Sequence, residues 1–394
     1  NQNNENDPNT NTHSNNTVIV MVCNFGQSEI LLNFICNARS KGLDNLLSQI
    51  LLFATDHETY KLATSMGLTS YYSSQLFQNM PIKAAEEYAD DTFRSLMFAK
   101  VYCVHLISQL GYDLLFQDVD VIWYKNPLLW FHNKMNPDYH FDMFFQDDGS
   151  RGLMYAPYSP NTGFYYVRNN KRTQFFFHSL LMSGGDMIMA TYSHQIALNA
   201  LLSEHISLYG LSVKICNSIE FPSGYTFHNE PTIMKEYLGL SSSSSSSSSS
   251  IQQQEGQEPE QHNSSTVGTT TIRVQQAPER QPYIFHFCWA NHKYDKIHFM
   301  EQLGEWYLQE SCKSLSNNDI MTMSNNNNST NNVTTATHSD GGGNSNGRIN
   351  NTAGISIIQH CCSVKPLVKC HYKDKPSIIP CLDSPFYDDG DSFW

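Results

Sequence analysis

The chain has 394 residues, 40% of them hydrophobic and 12% aromatic, which is enough apolar material for a large core. Its formal net charge is −13, and no basic stripe with interleaved aromatics occurs, so nucleic acid is not expected as its partner. No run of about 18 apolar residues is present, so no membrane-spanning helix is expected within it.

Several stretches are too polar to fold. Residues 1–16 are mostly Asn, Thr, Gln and Asp, and residues 241–250 are unbroken serine followed by Gln/Glu- and Thr-rich sequence to about 280. Residues 313–356 are again rich in Asn, Ser, Thr and Gly. Such tracts bury too little apolar surface to offset the entropy of ordering. Removing them leaves roughly 290 residues, one large domain with appendages. The expected organisation is a disordered stem over 1–16 and a single domain over 17–312, interrupted by low complexity at about 241–280. A disordered linker over 313–356 and a cysteine-rich tail over 357–394, packing on the domain, complete it. The chain opens at Asn1 without a Met or a signal-like apolar segment, which fits a mature form that has lost an N-terminal targeting segment.

In chain order, 17–23 (TVIVMVC) is a short β-branched run and predicts a buried strand. Helical spacing follows over 28–39, then a second apolar run over 49–54 ends in Thr55-Asp56. A short helix and a third strand at 69–72 come next. This alternation implies a parallel sheet with helices on both faces. Ligands bind beyond the carboxyl ends of such strands, which places Asn24, Phe25 and Asp56 among the candidate nucleotide contacts. Residues 91–110 keep the 3.6-residue apolar period through Phe93, Met97, Val101, Val104 and Ile107, and Gly111 closes that helix. A strand over 114–117 runs directly into Asp118-Val119-Asp120, and 121–124 continues the apolar run to the Asn126-Pro127 turn. Further strands are expected at 141–146, 161–167 and 283–287, with helices over 171–182, 194–202 and 297–310. The fold class is therefore α/β, a Rossmann-like domain with a small Cys-rich C-terminal tail.

The ten cysteines divide in two. Cys23, Cys36, Cys103, Cys216 and Cys288 are scattered through the folded part and read as small buried hydrophobes. Cys312, Cys361, Cys362, Cys370 and Cys381 crowd toward a short polar tail that needs staples to hold a shape. Disulfides formed in an oxidising compartment meet that need; a zinc site with His360 and His371 is the competing reading.

Two Asp-x-Asp patterns occur, and context separates them: Asp389-Gly390-Asp391 lies in the polar tail, whereas Asp118 and Asp120 end an apolar strand. In an extended chain, i and i+2 point to one side. Two half-buried carboxylates so placed repel each other and need a shared cation or a proton. A hard divalent ion such as Mg²⁺ or Mn²⁺ suits this oxygen environment and leaves positions open for phosphate oxygens. The alternative is a pair of surface-loop aspartates. His286, in the middle of YIFHFCWANHK, fits either a core histidine or a third metal ligand supplied late in the chain. Lys293 and Lys296 follow it; either could neutralise a departing diphosphate, or simply be exposed. Asp147 and Asp148 end the 141–146 strand and fit acceptor binding or stabilisation of a developing sugar cation, as well as an Asp-Gly turn. On the long helix Lys100, near the packed side, is a better candidate than Arg94, and Gln195 is a candidate on spacing alone.

These residues carry a resemblance. The segment 93–130 (FRSLMFAKVYCVHLISQLGYDLLFQDVDVIWYKNPLLW) resembles the central part of the nucleotide-diphospho-sugar transferases of glycosyltransferase family 77. In that family a Lys-containing helix leads into a GYDVLFxDxDVVW strand and metal loop. NTGFYYVRNN at 161–170, HQIALN at 194–199 and HFCWANHKYDK at 286–296 extend the match over about residues 17–310. The resemblance implies a GT-A-type fold with a mixed, mostly parallel central sheet, a UDP-sugar donor, Mn²⁺ or Mg²⁺, and transfer with retention of configuration. Family members move xylose, galactose or arabinose onto glycans or glycoproteins. They work mostly in the Golgi, from type II membrane anchors, so any membrane contact is expected only through an N-terminal anchor absent from this chain. Carried over by position, Asp118 and Asp120 would bind the metal with His286, Lys100 and Lys293 would serve the diphosphate, and Gln195 would lie under the donor sugar. The family often has Asp before that Gln, where this chain has His194. The serine insertion and the 361–394 tail are outside the family pattern.

Two other classes compete. A haloacid-dehalogenase-type phosphatase also places Asp-x-Asp after an apolar strand, with Asp118 as nucleophile. That motif normally sits on the first strand of its domain, whereas here about 90 residues of strand–helix alternation precede it. A carbohydrate-binding protein without turnover would keep the fold and lose the chemistry.

Overall fold

The computed structural model describes residues 16–230, 281–290, 292–313 and 360–369. The expected stem over 1–16 (Asn16 apart), the insertion at 241–280, the linker over 313–356 (Lys313 apart) and most of the tail lie outside the described residues, as do His371, Cys370, Cys381 and Asp389-Gly390-Asp391.

The domain is α/β, as expected. Strand β1 (Thr17–Cys23) is followed by α1 (Ser28–Ser40), β2 (Ile50–Ala54), α2 (His57–Ser65) and β3 (Thr69–Tyr71). Then come α3 (Asp91–Gln109), β4 (Asp113–Gln117), β5 (Val121–Trp123), α4 (Pro127–Phe131), β6 (Met143–Asp147) and β7 (Pro160–Val167). The rest is α5 (Lys171–Thr191), α6 (His194–Tyr209), β8 (Val213–Ile215), α7 (Gly224–Asn229), β9 (Ile284–His286) and α8 (Lys293–Gln302). Seven strands form one sheet in the order β3-β2-β1-β4-β7-β6-β8, and β5 and β9 form a separate ribbon. The pairs β1–β2, β1–β4, β2–β3 and β6–β8 are parallel, whereas β7 runs antiparallel to both β4 and β6. The sheet is thus mixed and mostly parallel.

Strand alternation divides the core into two layers. Ile19, Met21 and Cys23 of β1 pack with α1, β5, β9 and α8, while Val20 and Val22 pack on the other face with α3, α5 and α6. A residue period of 2 on a sheet covered on both faces needs apolar residues at every position, which is what TVIVMVC supplies.

Several boundaries differ from expectation for identifiable reasons. The helix expected over 297–310 is α8, starting at Lys293 because His292 and Asp295 form a capping box, and ending before Gly304, whose φ of 70° takes the chain out of the helix. α5 runs on through Gly184-Gly185 to Thr191, and α6 continues to Tyr209, where Gly210 at φ 68° ends it. Strand β8 and helix α7 are too short to give a periodic signal.

The cysteine reading is corrected in part. Cys36 is not a free hydrophobe: it bonds to Cys362, and Cys312 bonds to Cys361, so the adjacent pair 361–362 ties the tail both to α1 and to the segment after α8. Cys23, Cys103 and Cys216 are free and buried, while Cys288 is free and half-buried. Zinc is thereby ruled out for Cys361 and Cys362, whose sulfurs are in disulfides. Among the described residues no helix is long and apolar enough to cross a membrane.

Candidate functional site

Strand β4 delivers Gln117 beside Phe164 of β7, and the next residue, Asp118, donates its backbone N–H to the Gly163 carbonyl at 2.7 Å. The expected extended Asp118–Asp120 segment is instead a turn, closed by Val121 N–H to the Asp118 carbonyl at 3.3 Å. β5 then pairs with β9, setting Val121 opposite His286. That pairing, together with Phe287 N–H donating to the Asp120 carbonyl at 3.0 Å, brings the late histidine to the two aspartates. One ligand atom from each of Asp118, Asp120 and His286 lies within 4.8 Å of the others.

Both carboxylates are neutralised by lysines. Lys100 of α3 places Nζ 2.7 Å from Asp118 Oδ1, and Lys296 of α8 places Nζ 2.6 Å from Asp120 Oδ2. His286 Nε2 is 3.5 Å from Asp120 Oδ1. Burial opposes the Asp120 charge, yet Lys296 and His286 beside it hold its carboxyl well below the usual carboxylate range. Burial likewise opposes protonation of His286, but its neighbours Cys288 and Asp120 push it up to about 10.

The donor set fits a divalent cation. Gln146 gives both amide hydrogens to backbone carbonyls, of Phe221 at 3.0 Å and Pro222 at 2.8 Å, which fixes Oε1 as the acceptor facing His286 Nδ1 at 2.8 Å. Nδ1 must then carry the proton, and in the neutral ring the Nε2 lone pair faces the aspartates. Ligating histidines are ordinarily oriented this way. Two carboxylates and one imidazole around one point suit Mn²⁺ or Mg²⁺.

These groups border a cavity of about 370 Å³ whose wall includes Lys100, Asp118, Asp148, Gln195, His286 and Lys296. Tyr88, Tyr155 and Trp289 add aromatic surface. Asp148 is 8% exposed and accepts from Asn161 Nδ2 at 2.9 Å. Burial pushes its carboxyl above the usual range, against hydrogen bonds from Gln195 and Asn161. Gln195 Oε1 accepts from Thr162 N at 3.0 Å and Thr162 Oγ1 at 3.1 Å, leaving its amide nitrogen for Asp148. His194 is buried with Nδ1 against the Met97 sulfur, so no carboxylate stands there.

The structure separates the other candidates from this cluster. Asp147 turns away to a two-pronged pair with Arg151, at 2.9 and 2.8 Å. Lys293 pairs with Glu29 at 2.7 Å, and Lys296 takes the place beside the aspartates. Asn24 donates to the carbonyls of Pro81 at 2.9 Å and Lys83 at 2.7 Å; Asp56 caps α2 through Thr59 N–H and holds Phe25 N–H at 2.8 Å. Asn24, Phe25 and Asp56 therefore brace the carboxyl ends of β1 and β2 and lie outside the wall of this cavity.

Gly163 and Gln146 are among the site residues that escaped the sequence reading. A Cβ at Gly163 would lie 2.5 Å from His286 Cε1 and 2.8 Å from Asp118 Oδ2, so only glycine fits between metal-ligand candidates. The available signal was a glycine inside an otherwise aromatic strand, which marks close approach. Gln146 gave no signal at all, since one buried Gln in FDMFFQ reads like any strand end.

Residues 45–238 match the family model described as nucleotide-diphospho-sugar transferase. The resemblance read from the sequence is borne out: the segment that matches the nucleotide-diphospho-sugar transferase family has Asp118 and Asp120 inside it. Among curated proteins, the chain is 26% identical over 185 residues to the UDP-galactose:fucoside alpha-3-galactosyltransferase of Dictyostelium discoideum, covering 40% of this chain and 27% of that one. It is 27% identical over 161 residues to the beta-arabinofuranosyltransferase RAY1 of Arabidopsis thaliana, covering 40% and 28%. The matches thus span little more than a quarter of either relative. A solved structure of the galactosyltransferase LgtC with donor and acceptor sugar analogs aligns at 11% identity over 68% of this chain and 86% of that one, with a TM-score of 0.36.

Proposed function

We propose that this protein is a retaining glycosyltransferase that moves a galactosyl or pentosyl group from a UDP-sugar to a glycan or glycoprotein acceptor. The observation that carries the reading is the convergence of Asp118, Asp120 and His286 within 4.8 Å of one another, with Asp118 and His286 in the cavity wall, within and beside a nucleotide-diphospho-sugar transferase segment. The sugar choice rests on what the two curated relatives are named for.

A bound Mn²⁺ or Mg²⁺ would supply positive charge to the diphosphate as the sugar–phosphate bond breaks. Lys100 and Lys296 add two ammonium groups to the same wall. Asp148, braced by Asn161 and Gln195, is placed to accept a hydrogen bond from an acceptor hydroxyl, with Tyr88, Tyr155 and Trp289 offering faces for sugar rings. In a front-face displacement the acceptor oxygen bonds to the anomeric carbon as the bond to the diphosphate breaks, and the acceptor proton passes to the departing phosphate oxygen. Asp147, held by Arg151, has no part in this scheme. Two disulfides support a secretory-pathway lumen such as the Golgi as the working compartment.

The test is UDP release across a panel of UDP-sugars with and without Mn²⁺. Asp118→Ala and Asp120→Ala should each lower turnover by about 10³-fold or more with the far-UV circular dichroism unchanged. Phosphate release without UDP would point instead to the phosphatase class, and near-normal turnover in either variant would remove the metal assignment.

A further inference from the structure

We propose that Lys100 and Lys296 are internal stand-ins for the divalent cation, and that by competing with it they make its tight binding depend on the donor's diphosphate. The proposal rests on the reading above that Asp118, Asp120 and His286 hold a divalent ion. It adds the order and linkage of binding, and assigns Lys296 a role in it.

Asp120 is 3% exposed and is not itself part of the cavity wall. Its Oδ2 is covered by Lys296 Nζ at 2.6 Å and its Oδ1 faces His286 Nε2 at 3.5 Å, and both of those residues do line the cavity. Asp118 is met by Lys100, with Nζ 2.7 Å from Oδ1 and 2.9 Å from Oδ2. A cation entering from the cavity therefore finds both carboxylates already paired with an ammonium group. The lysines come from two different helices, α3 and α8, so one side-chain rearrangement cannot release both aspartates.

Charge decides the outcome. Two aspartates and two lysines in contact are electrically balanced. A divalent ion added alone displaces the lysines and leaves two uncompensated positive charges in a half-buried wall, which low-dielectric surroundings penalise strongly. A sugar diphosphate carries two negative charges, and it restores the balance by receiving the displaced ammonium groups as the cation takes the carboxylates. Lysine suits the exchange, being a point charge on a flexible stem that can swing from one anion to another. The ion and the diphosphate therefore favour each other's binding, and linkage makes that favour reciprocal.

Mn²⁺ binding read from the electron paramagnetic resonance signal of the free ion, with and without UDP, tests this on the whole protein. In the unaltered protein UDP should tighten Mn²⁺ binding by about tenfold or more. Lys296→Met should bind Mn²⁺ alone about tenfold more tightly than the unaltered protein, and UDP should then add less than about threefold. Lys100→Met should move both quantities the same way through Asp118, and Lys296→Arg, which keeps the charge, should behave like the unaltered protein. If Mn²⁺ and UDP bind together but Lys296→Met and Lys100→Met bind Mn²⁺ alone no more tightly than the unaltered protein, the lysines do not compete with the ion and the proposal falls. If no form binds Mn²⁺ with or without UDP, the metal reading beneath it falls as well.

Discussion

A side chain at position 163 must push its neighbours aside, because an added Cβ would lie 2.9 Å from His286 Nε2 and closer still to Asp118 Oδ2. Gly163→Ala should therefore separate Asp118 from His286 and lower kcat/KM by about 10²-fold, with the melting temperature falling only a few degrees; unchanged kinetics would show that the two need not approach. Gln146 acts one step further out. Its Oε1 selects the His286 tautomer, so Gln146→Leu should weaken Mn²⁺ binding in the presence of UDP by about 10- to 100-fold, measured by calorimetry. Neither residue is chemically conspicuous in the sequence. Asp118 and Asp120 were legible because a hydrophilic pair at the end of an apolar strand stands out locally. The partners that orient His286 come from β6 and from the 221–222 segment, which local pattern does not connect.

At the scale of elements, the ribbon of β5 and β9 does most to assemble the site. Each strand has only three residues, yet the register Val121↔His286 and Trp123↔Ile284 locks the late segment onto the metal turn. Trp123 anchors it, fully buried, edge-on to Phe34 of α1 at 4.9 Å, with its indole N–H donated to Gln117 Oε1 at 2.7 Å. The tail braces the same α1 from behind: Cys36 bonds to Cys362, 326 positions later, and Leu308 bridges Cys362. Closing so long a loop restricts the unfolded chain, so Cys36→Ser should lower unfolding free energy by about 2–5 kcal/mol, read from urea denaturation under oxidising conditions. If the midpoint did not move, the tail would be an ornament and the oxidising compartment would lose its support. The five cysteines crowded toward the tail invited the disulfide reading by composition, but Cys36 could not be assigned to it, since a lone half-cystine on an amphipathic helix looks like any small buried residue.

For the whole molecule, the buried histidines set a lower pH limit. Burial, and then the Lys100 charge, holds His194 well below its ordinary value, and burial lowers His228 to about 4. Each base is depressed in the folded state, so below the ordinary value near 6.5 the unfolded chain takes up protons that the folded chain refuses. Stability from this source is complete above that pH and is lost as pH falls through it, at about 1.4 kcal/mol per pH unit for each histidine. Urea midpoints should therefore drop between pH 7 and 5, and His194→Gln should flatten that slope; an unchanged slope would mean His194 titrates normally in the folded protein.

Local pattern was enough to read the class of fold and to single out the carboxylate pair of the 118–120 turn. Strand–helix alternation, fully apolar strands and the Asp118-Val119-Asp120 segment are local patterns, set by side chains within a few residues of one another. Long-range packing settles that Lys296 rather than Lys293 sits on Asp120, that Asp147 faces Arg151 while Asp148 faces the cavity, and that Cys36 is a half-cystine. Those choices depend on register and on which sheet edges and helix faces meet. Contacts between residues far apart in the chain leave no periodicity behind, because either lysine, either aspartate or any of several cysteines satisfies the same local pattern.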